Sequence, residues 1–218
     1  MRTPTVCLLA TPLVPSGAGP VRLDARGLQH RVFLAQGDLD GACGFYCIGM
    51  ALLAVGVIKR AQFTYHHRNT KAVKTFLEAM QRQLFEGTDV DELINLVSTL
   101  PLPIKADALL LPRRHLIAAM SEALRDGHLL IAGVEGQGGR LNHWVLIVGM
   151  EVNRRRRPST TSAFLVLDAS EPRPTVCCWN ARLELSDRAC VLHRLRGTKG
   201  SAVSVRIDGV VTIKANTR

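Results

Sequence analysis

The chain has 218 residues, of which 47% are hydrophobic and 21% are charged, a balance that excludes a disordered chain. Its length is sufficient for one globular domain with a substantial core, and no internal period suggests a repeat protein. The formal net charge of +10 suits an acidic partner, an anionic membrane or nucleic acid, but a basic surface without a specific role explains it equally well.

The cysteine content and the N-terminal sequence indicate a protein of a reducing compartment. The spacing of the cysteines predicts neither a zinc site nor a disulfide framework. The six are Cys7, Cys43, Cys47, Cys177, Cys178 and Cys190. The first residues make a poor secretory signal because Pro12 and Pro15 interrupt their short apolar run, and the longest apolar run, 45–58, is too short to span a bilayer. We therefore expect a cytoplasmic protein without a membrane span, metal or cofactor. Export by a route that needs no cleaved signal stays an open alternative.

The sequence of the N-terminal quarter predicts an irregular segment with short strands, followed by one apolar helix. Residues 1–19 are rich in proline, glycine and threonine, which favours an irregular arm or a short edge strand. Residues 21–24 and 31–35 predict short strands. An apolar helix is expected over 42–55, and Gly56 follows it as a C-terminal stop.

Three further helices are predicted before the composition changes. Apolar residues recur at helical spacing over 69–85, 89–100 and 116–125. Thr88, with Asp91 three residues later, predicts a cap for the second of these helices.

The second half of the chain predicts strands separated by turns. The expected strands cover residues 128–134, 143–152, 163–168, 175–179 and 202–213. A hairpin turn is expected at Asp208 and Gly209. Because helices precede strands instead of alternating with them, the order predicts an α+β fold, with a helical N-terminal half packed on a C-terminal antiparallel sheet. One domain over 20–218 follows.

The residues 36–50, reading QGDLDGACGFYCIGM, predict a reactive thiol. Cys43 lies where a loop enters the apolar helix, and a helix N-terminus lowers a thiol pKa through its dipole and free N–H groups. Gln36 is placed to donate a hydrogen bond to an oxyanion. The alternative for Cys43 is a buried structural thiol, and Cys47, one turn deeper, is expected in the core.

Two later residues complete a candidate catalytic site. His143 opens the run HWVLIVGM, and Asp168 closes the run FLVLDAS. A nucleophile, a base and an orienting group on three different elements are what a Cys-His-Asp site requires. The alternative for Asp168 is that it only ends its strand. Trp144 or Trp179 is expected to shield the His–Asp pair.

This order of residues resembles the papain-like cysteine peptidases, and most of all the bacterial peptidases that remove double-glycine leaders from bacteriocin precursors. The resemblance covers 36–170 and rests on Gln36, Cys43 with its helix CGFYCIGMALLAVG, His143 in HWVLIVG and Asp168 in LVLDAS. It implies a papain-like fold and a peptide or protein substrate with small residues beside the scissile bond. It also implies roles: Cys43 as nucleophile, His143 as acid and base, Asp168 as orienting group, and Gln36 with the Cys43 N–H as oxyanion hole.

Two other classes of function remain open. Deamidases, transglutaminases and acyltransferases use the same thiol and imidazole but pass the acyl group differently. A catalytically inactive basic module would instead bind a partner protein or nucleic acid through its surface charge. The four arginines at 154–157 predict a solvated hairpin tip, and nucleic acid is not expected because no aromatic residues interleave with them.

Overall fold

The protein is described by a computed structural model that combines five helices with eleven strands over the described residues. The described residues are 5–37, 41–64, 69–139, 141–153, 160–186, 192–198, 200 and 202–216. The helices are α1 (Cys43–Val55), α2 (Arg60–Thr64), α3 (Lys71–Arg82), α4 (Val90–Thr99) and α5 (Arg113–Arg125). The predicted α+β class is confirmed.

Most strands belong to one large antiparallel sheet. Six strands of this sheet close into a ring, and the remaining strands lie at its margin or outside it. These remaining strands are β1 (Thr5–Leu9), β2 (Leu13–Val14), β3 (Val21–Leu23), β4 (Gln29–Arg31) and β5 (Ile104–Ala108). The ring strands are β6 (Leu129–Gly136), β7 (Asn142–Asn153), β8 (Thr160–Leu167), β9 (Ala181–Glu184), β10 (His193–Gly197) and β11 (Ala202–Ala215). These six pair in sequence from β7 through β6, β11, β10, β9 and β8, and β8 pairs again with β7, so the sheet closes on itself.

The strand β7 organises this sheet because it has three partners. Its first half pairs with β6, its second half pairs with β1, and β8 runs along the other edge. Gly149 lies where β1 joins, and a Cβ there would overlap the carbonyl oxygen of Leu8. Only glycine therefore allows β1 to approach β7 at this point.

Alternating side chains along the ring strands form two separate cores. One set points inside the closed sheet and is covered by α5; it includes Leu130, Val145 and Phe164. The opposite set, which includes Leu146 and Leu165, packs against α1, α3 and α4. The helix α1 therefore lies against the outer face of the sheet. All residues of α1 are buried except Tyr46 and Val55. No helix in the described ranges is long and apolar enough to cross a membrane.

Several predicted boundaries need correction at the N-terminal side. Of the two alternatives for residues 1–19, the edge strand is found over Thr5–Leu9, which pairs with β7. Residues 31–35 are not a strand; Gln29–Arg31 pairs with β3 instead. The cap of α4 is Asp89 with Glu92, one residue later than predicted, with hydrogen bonds in both directions. Neither α2 nor β5 was predicted, since both are too short for a clear periodic signal.

The C-terminal strands also differ from the prediction. Residues 175–179 are not a strand, and the strands β9 and β10 follow them instead. Asp208 and Gly209 do not turn the chain: the register with β6 shifts between Ile207 and Gly209, so the pair forms an irregularity within one long strand. The predicted arginine tip at 154–157 lies outside the described residues.

Candidate active site

Cys43 is the first residue of α1 and lies at the bottom of a cleft between that helix and the sheet. Ala42 precedes it as the N-cap and provides no side-chain cap, and the first turn holds no acidic residue. The free N–H groups of the first turn therefore remain available to an anion at this position. Cys43 is 7% exposed, so it is buried but still has some access to solvent.

His143 and Asp168 lie at neighbouring strand ends, as the sequence predicts. His143 is the second residue of β7, and Asp168 directly follows β8. The His143 Nε2 atom is 2.8 Å from Asp168 Oδ1, and both side chains are largely buried. Asp168 Oδ1 also accepts from Ser170 N at 2.9 Å and from Ser170 Oγ at 2.7 Å. An ionised carboxylate only accepts, so Nε2 donates and the Nδ1 side of the ring is left for Cys43.

The backbone of β7 also contacts the thiol. The Trp144 N–H donates to Cys43 Sγ across 3.3 Å, which joins the helix end to the strand that carries His143. The Trp144 indole Nε1–H donates to the Thr88 carbonyl oxygen at 2.8 Å and fixes the ring beside Cys43. Trp179 instead packs at the margin of the outer core. Of the two tryptophans, Trp144 therefore borders the thiol.

The electrostatics of the site favour a charged thiol–imidazole pair. Burial opposes ionisation of Cys43, but hydrogen bonding and attraction from His143, with N–H donation from Trp144 and Gly44, lower its pKa. Burial also opposes protonation of His143, but Asp168 and Cys43 raise its pKa to about 10. For Asp168, burial is outweighed by His143 and Ser170, and its pKa is lowered. These shifts all act in the direction that favours a thiolate beside an imidazolium.

Cys47 contrasts with Cys43, although the two lie one turn apart on the same helix. Cys47 is fully buried in the outer core, as the sequence predicts. Burial first, then the neighbouring Cys43 and Asp168, raise its pKa well above the usual value. Burial and charge therefore lower the pKa of one thiol and raise that of the other on the same helix.

Gln36 reaches the same cleft from the preceding loop. Its backbone N–H donates to the Ala169 carbonyl oxygen at 2.8 Å, which holds the loop against the residue after Asp168. Gln36 lines the cavities on both sides of His143. This position suits the predicted oxyanion role, which stays a prediction.

Asn180 supports the site and was missed by sequence reasoning. Its Oδ1 accepts from Asp168 N at 2.7 Å, and its Nδ2 donates to the Asp168 carbonyl oxygen at 2.8 Å and to that of Pro172 at 3.1 Å. These bonds curl residues 168–180 into a compact loop in place of the predicted strand. The available signal was an asparagine after a proline-rich stretch, which is typical of turns.

Two cavities flank the residues of the candidate site. The larger, of about 650 Å³, is bordered by Cys43 and extends along residues 85–92. The smaller, of about 400 Å³, is bordered by Asp168 and Ser170 but not by Cys43. Gln36 and His143 border both, so the cleft runs past the thiol in two directions.

The sequence matches no protein-family model, and a comparison with curated proteins finds no match. Among the residues that the structure describes, no group of three or more His, Cys, Asp or Glu side chains is arranged to hold a metal ion. The interpretation of the site therefore rests on the contacts given above.

Gly44 is the residue that allows this packing, and replacing it tests the arrangement. A Cβ at Gly44 would overlap Thr88 Oγ1 and lie 2.9 Å from Leu93 Cδ2 and 3.3 Å from Trp144 Cδ1. Overpacking costs about 1–3 kcal/mol, whereas alanine gains only up to ~1 kcal/mol over glycine in a helix. We expect Gly44→Ala to lower the free energy of unfolding by about 1–2 kcal/mol and to slow alkylation of Cys43.

Gly17→Ala is the matched control, because a Cβ at Gly17 meets no atom within 4 Å. Urea denaturation of both variants measures the difference. If the two variants unfold at the same urea concentration, the close packing of Gly44 against Trp144 is wrong.

Proposed function

We propose that the protein is a papain-like cysteine peptidase that cleaves a peptide or protein through an acyl-enzyme on Cys43. The observation that carries this proposal is the His143–Asp168 hydrogen bond of 2.8 Å beside a thiol at a helix N-terminus. The arrangement of one buried helix against an antiparallel sheet, with histidine and aspartate at adjacent strand ends, supports a papain-like fold.

In the first half of the reaction, the Cys43 thiolate attacks the carbonyl carbon of the scissile amide and forms a C–S bond. The carbonyl oxygen becomes an oxyanion, for which the Cys43 N–H and the Gln36 side chain are the proposed donors. When the tetrahedral species collapses, the C–N bond breaks and the His143 imidazolium gives its proton to the leaving nitrogen. The thioester and a neutral imidazole remain.

In the second half, the neutral imidazole takes a proton from water as that water attacks the thioester. The C–O bond forms, the C–S bond breaks, and the thiolate leaves while His143 is again protonated. Asp168 holds the imidazole in one orientation through both halves, because its carboxylate is itself fixed by Ser170.

Mass spectrometry of a proteome-derived peptide library tests the proposal. We expect new peptides whose termini share a sequence pattern, with one water added per broken bond. Protein alkylated at Cys43 beforehand is the control and should leave the library unchanged.

The same spectra distinguish the other uses of a reactive thiol. A mass increase of about one dalton at glutamine or asparagine side chains without chain cleavage would indicate a deamidase, and joined peptides would indicate a transglutaminase or acyltransferase. An unchanged library together with an unreactive Cys43 would favour a binding module. Any of these three outcomes would overturn the peptidase proposal.

A further inference from the structure

The two cavities can be assigned to the two sides of the scissile bond, an assignment that rests on the proposed function. During the acyl-enzyme stage the acyl segment is covalently bonded to Cys43 Sγ, so it must lie in the cavity that Cys43 borders. The leaving amine takes its proton from His143. His143 borders both cavities, so with the acyl segment in the first cavity the leaving amine is assigned to the second, where His143 can still reach it and which Cys43 does not border.

The cavity on the acyl side is acidic, although the whole chain has a net charge of +10. Its lining includes Glu86, Asp89 and Glu92, and no described lysine or arginine. Within the described ranges, none of these three carboxylates forms an ion pair. The one basic group in the described lining is His143, whose charge is paired with Asp168, so it forms no ion pair with these three carboxylates.

Glu92 is held in a fixed position by neutral donors. The Gln83 side-chain amide donates to Glu92 Oε1 at 2.8 Å, and the Asp89 N–H donates to Glu92 Oε2 at 2.8 Å. These hydrogen bonds orient the carboxylate but leave its charge intact. The position of this charge is thus set by the capped start of α4 before any substrate binds.

An aromatic ring completes the same wall. Phe85 borders the cavity and is 77% exposed, which is unusual for a large apolar side chain and is unexplained by packing within the protein. An exposed aromatic face beside carboxylates is the combination that binds a guanidinium or ammonium group, through cation–π contact and ion pairing together.

We propose that the cavity beside Cys43 selects acyl segments that carry a lysine or arginine side chain, bound between Phe85 and the carboxylates of Glu86, Asp89 and Glu92. The basic surface of the protein does not oppose this selection at contact distance, because salt screens exposed charges beyond about 8–10 Å. The substrate class is therefore a basic peptide or a basic segment of a protein.

The test uses peptidyl acyloxymethyl ketones, which alkylate Cys43 after binding in the cleft. Each pair of probes is identical except for lysine or norleucine at one of the three residues before the reactive group. Intact-mass spectrometry gives the rate of modification, and each rate is divided by the rate of iodoacetamide with the same variant. We expect the lysine probe to react about fivefold faster at one or more positions, the size that an exposed ion pair supports.

The triple variant E86Q/D89N/E92Q removes the charge while keeping both hydrogen bonds of the α4 cap, because asparagine and glutamine satisfy the same positions. We expect the lysine preference to fall to less than twofold. Glu122→Gln, on the exposed face of α5, is the matched control and should keep the preference.

Three results would overturn the inference. If the lysine and norleucine probes react at equal rates at every position while Cys43 is reactive, the proposed selection for basic side chains is wrong and the peptidase proposal is unaffected. A lysine preference that survives the triple variant would also overturn the inference. If iodoacetamide labels Cys43 no faster than the other cysteines, the proposed function and this inference fail together.

Discussion

Replacing Cys43 with serine is expected to reduce peptide cleavage by at least about a thousandfold. The reason is the protonation state of the partner as well as the weaker nucleophile. Asp168 and Cys43 raise the His143 pKa to about 10. In the serine variant the contribution of Cys43 is lost, but the hydrogen bond to Asp168 remains and still favours the protonated imidazole. A protonated imidazole cannot remove a proton from a serine hydroxyl, whereas it lowers the pKa of a thiol and so favours the thiolate. The site is therefore suited to a thiolate and not to an alkoxide.

The measurement is the cleavage rate of the best peptide from the library, with Cys7→Ser as the control. Cys7 lies exposed on β1, so that substitution should leave the rate unchanged. Thermal melting of both variants confirms that the fold is kept. A Cys43→Ser variant that retains a tenth of the activity would exclude Cys43 as the nucleophile.

Replacing Asn180 with alanine is expected to destabilise the protein by about 3 kcal/mol. The substitution leaves the buried Asp168 N–H without the side-chain oxygen that it binds, which costs about 1–3 kcal/mol. The Asp168 carbonyl oxygen keeps the Glu171 N–H at 3.3 Å, but it and the Pro172 carbonyl oxygen each lose a hydrogen bond worth about 0.5–1.5 kcal/mol. For a domain of this size the melting temperature should fall by roughly 6–12 °C. Cleavage should fall as well, because Asp168 loses the support that aims it at His143.

Asn95→Ala is the matched control, since Asn95 lies exposed on α4 and its substitution should change the stability by no more than about 0.5 kcal/mol. Differential scanning calorimetry compares the two variants. If Asn180→Ala melts within a degree of Asn95→Ala, the Asn180 hydrogen bonds do not hold the loop after β8.

The residues of the candidate site could be predicted because each carries a local signal. Cys43 follows small residues at the start of an apolar run, and the structure places it as the first residue of a helix. His143 and Asp168 each lie at the end of an apolar strand, and antiparallel pairing of those strands brings the two together. The positions of these three residues thus depend on where a helix begins and where strands begin or end, and composition and periodicity indicate such boundaries well.

The supporting contacts could not be predicted, because they join distant parts of the chain. The Trp144 N–H reaches Cys43 across 101 positions, and the Trp144 indole reaches Thr88 across 56. Asn180 replaces a predicted strand with a loop through side-chain bonds to the backbone. No local pattern encodes such pairings, which depend on how the sheet closes.

The fold prediction failed where tertiary contacts override local composition. Composition left residues 1–19 open between an irregular arm and an edge strand, and Thr5–Leu9 is a strand because β7 pairs with it. Asp208 and Gly209 have hairpin composition but continue one strand, because β6 pairs on both sides of them. At both places the partner strand, and not the local sequence, decides the conformation.

The most direct test of the thiol–imidazole pair is the pH dependence of iodoacetamide labelling, followed at each cysteine by peptide mass spectrometry. Burial, with Glu151, raises the pKa of the exposed Cys7, so it should label only in the alkaline range. Cys43, though buried, should label at a lower pH than Cys7, because His143 and the N–H donors lower its pKa, and its pH profile should change again when His143 loses its proton near pH 10. In His143→Ala, only the N–H groups of Trp144 and Gly44 still oppose the effect of burial, and labelling of Cys43 should move to a clearly higher pH than in the unaltered protein. If Cys43 instead follows the same pH profile as Cys7 and ignores the loss of His143, no ion pair exists and the catalytic account is wrong.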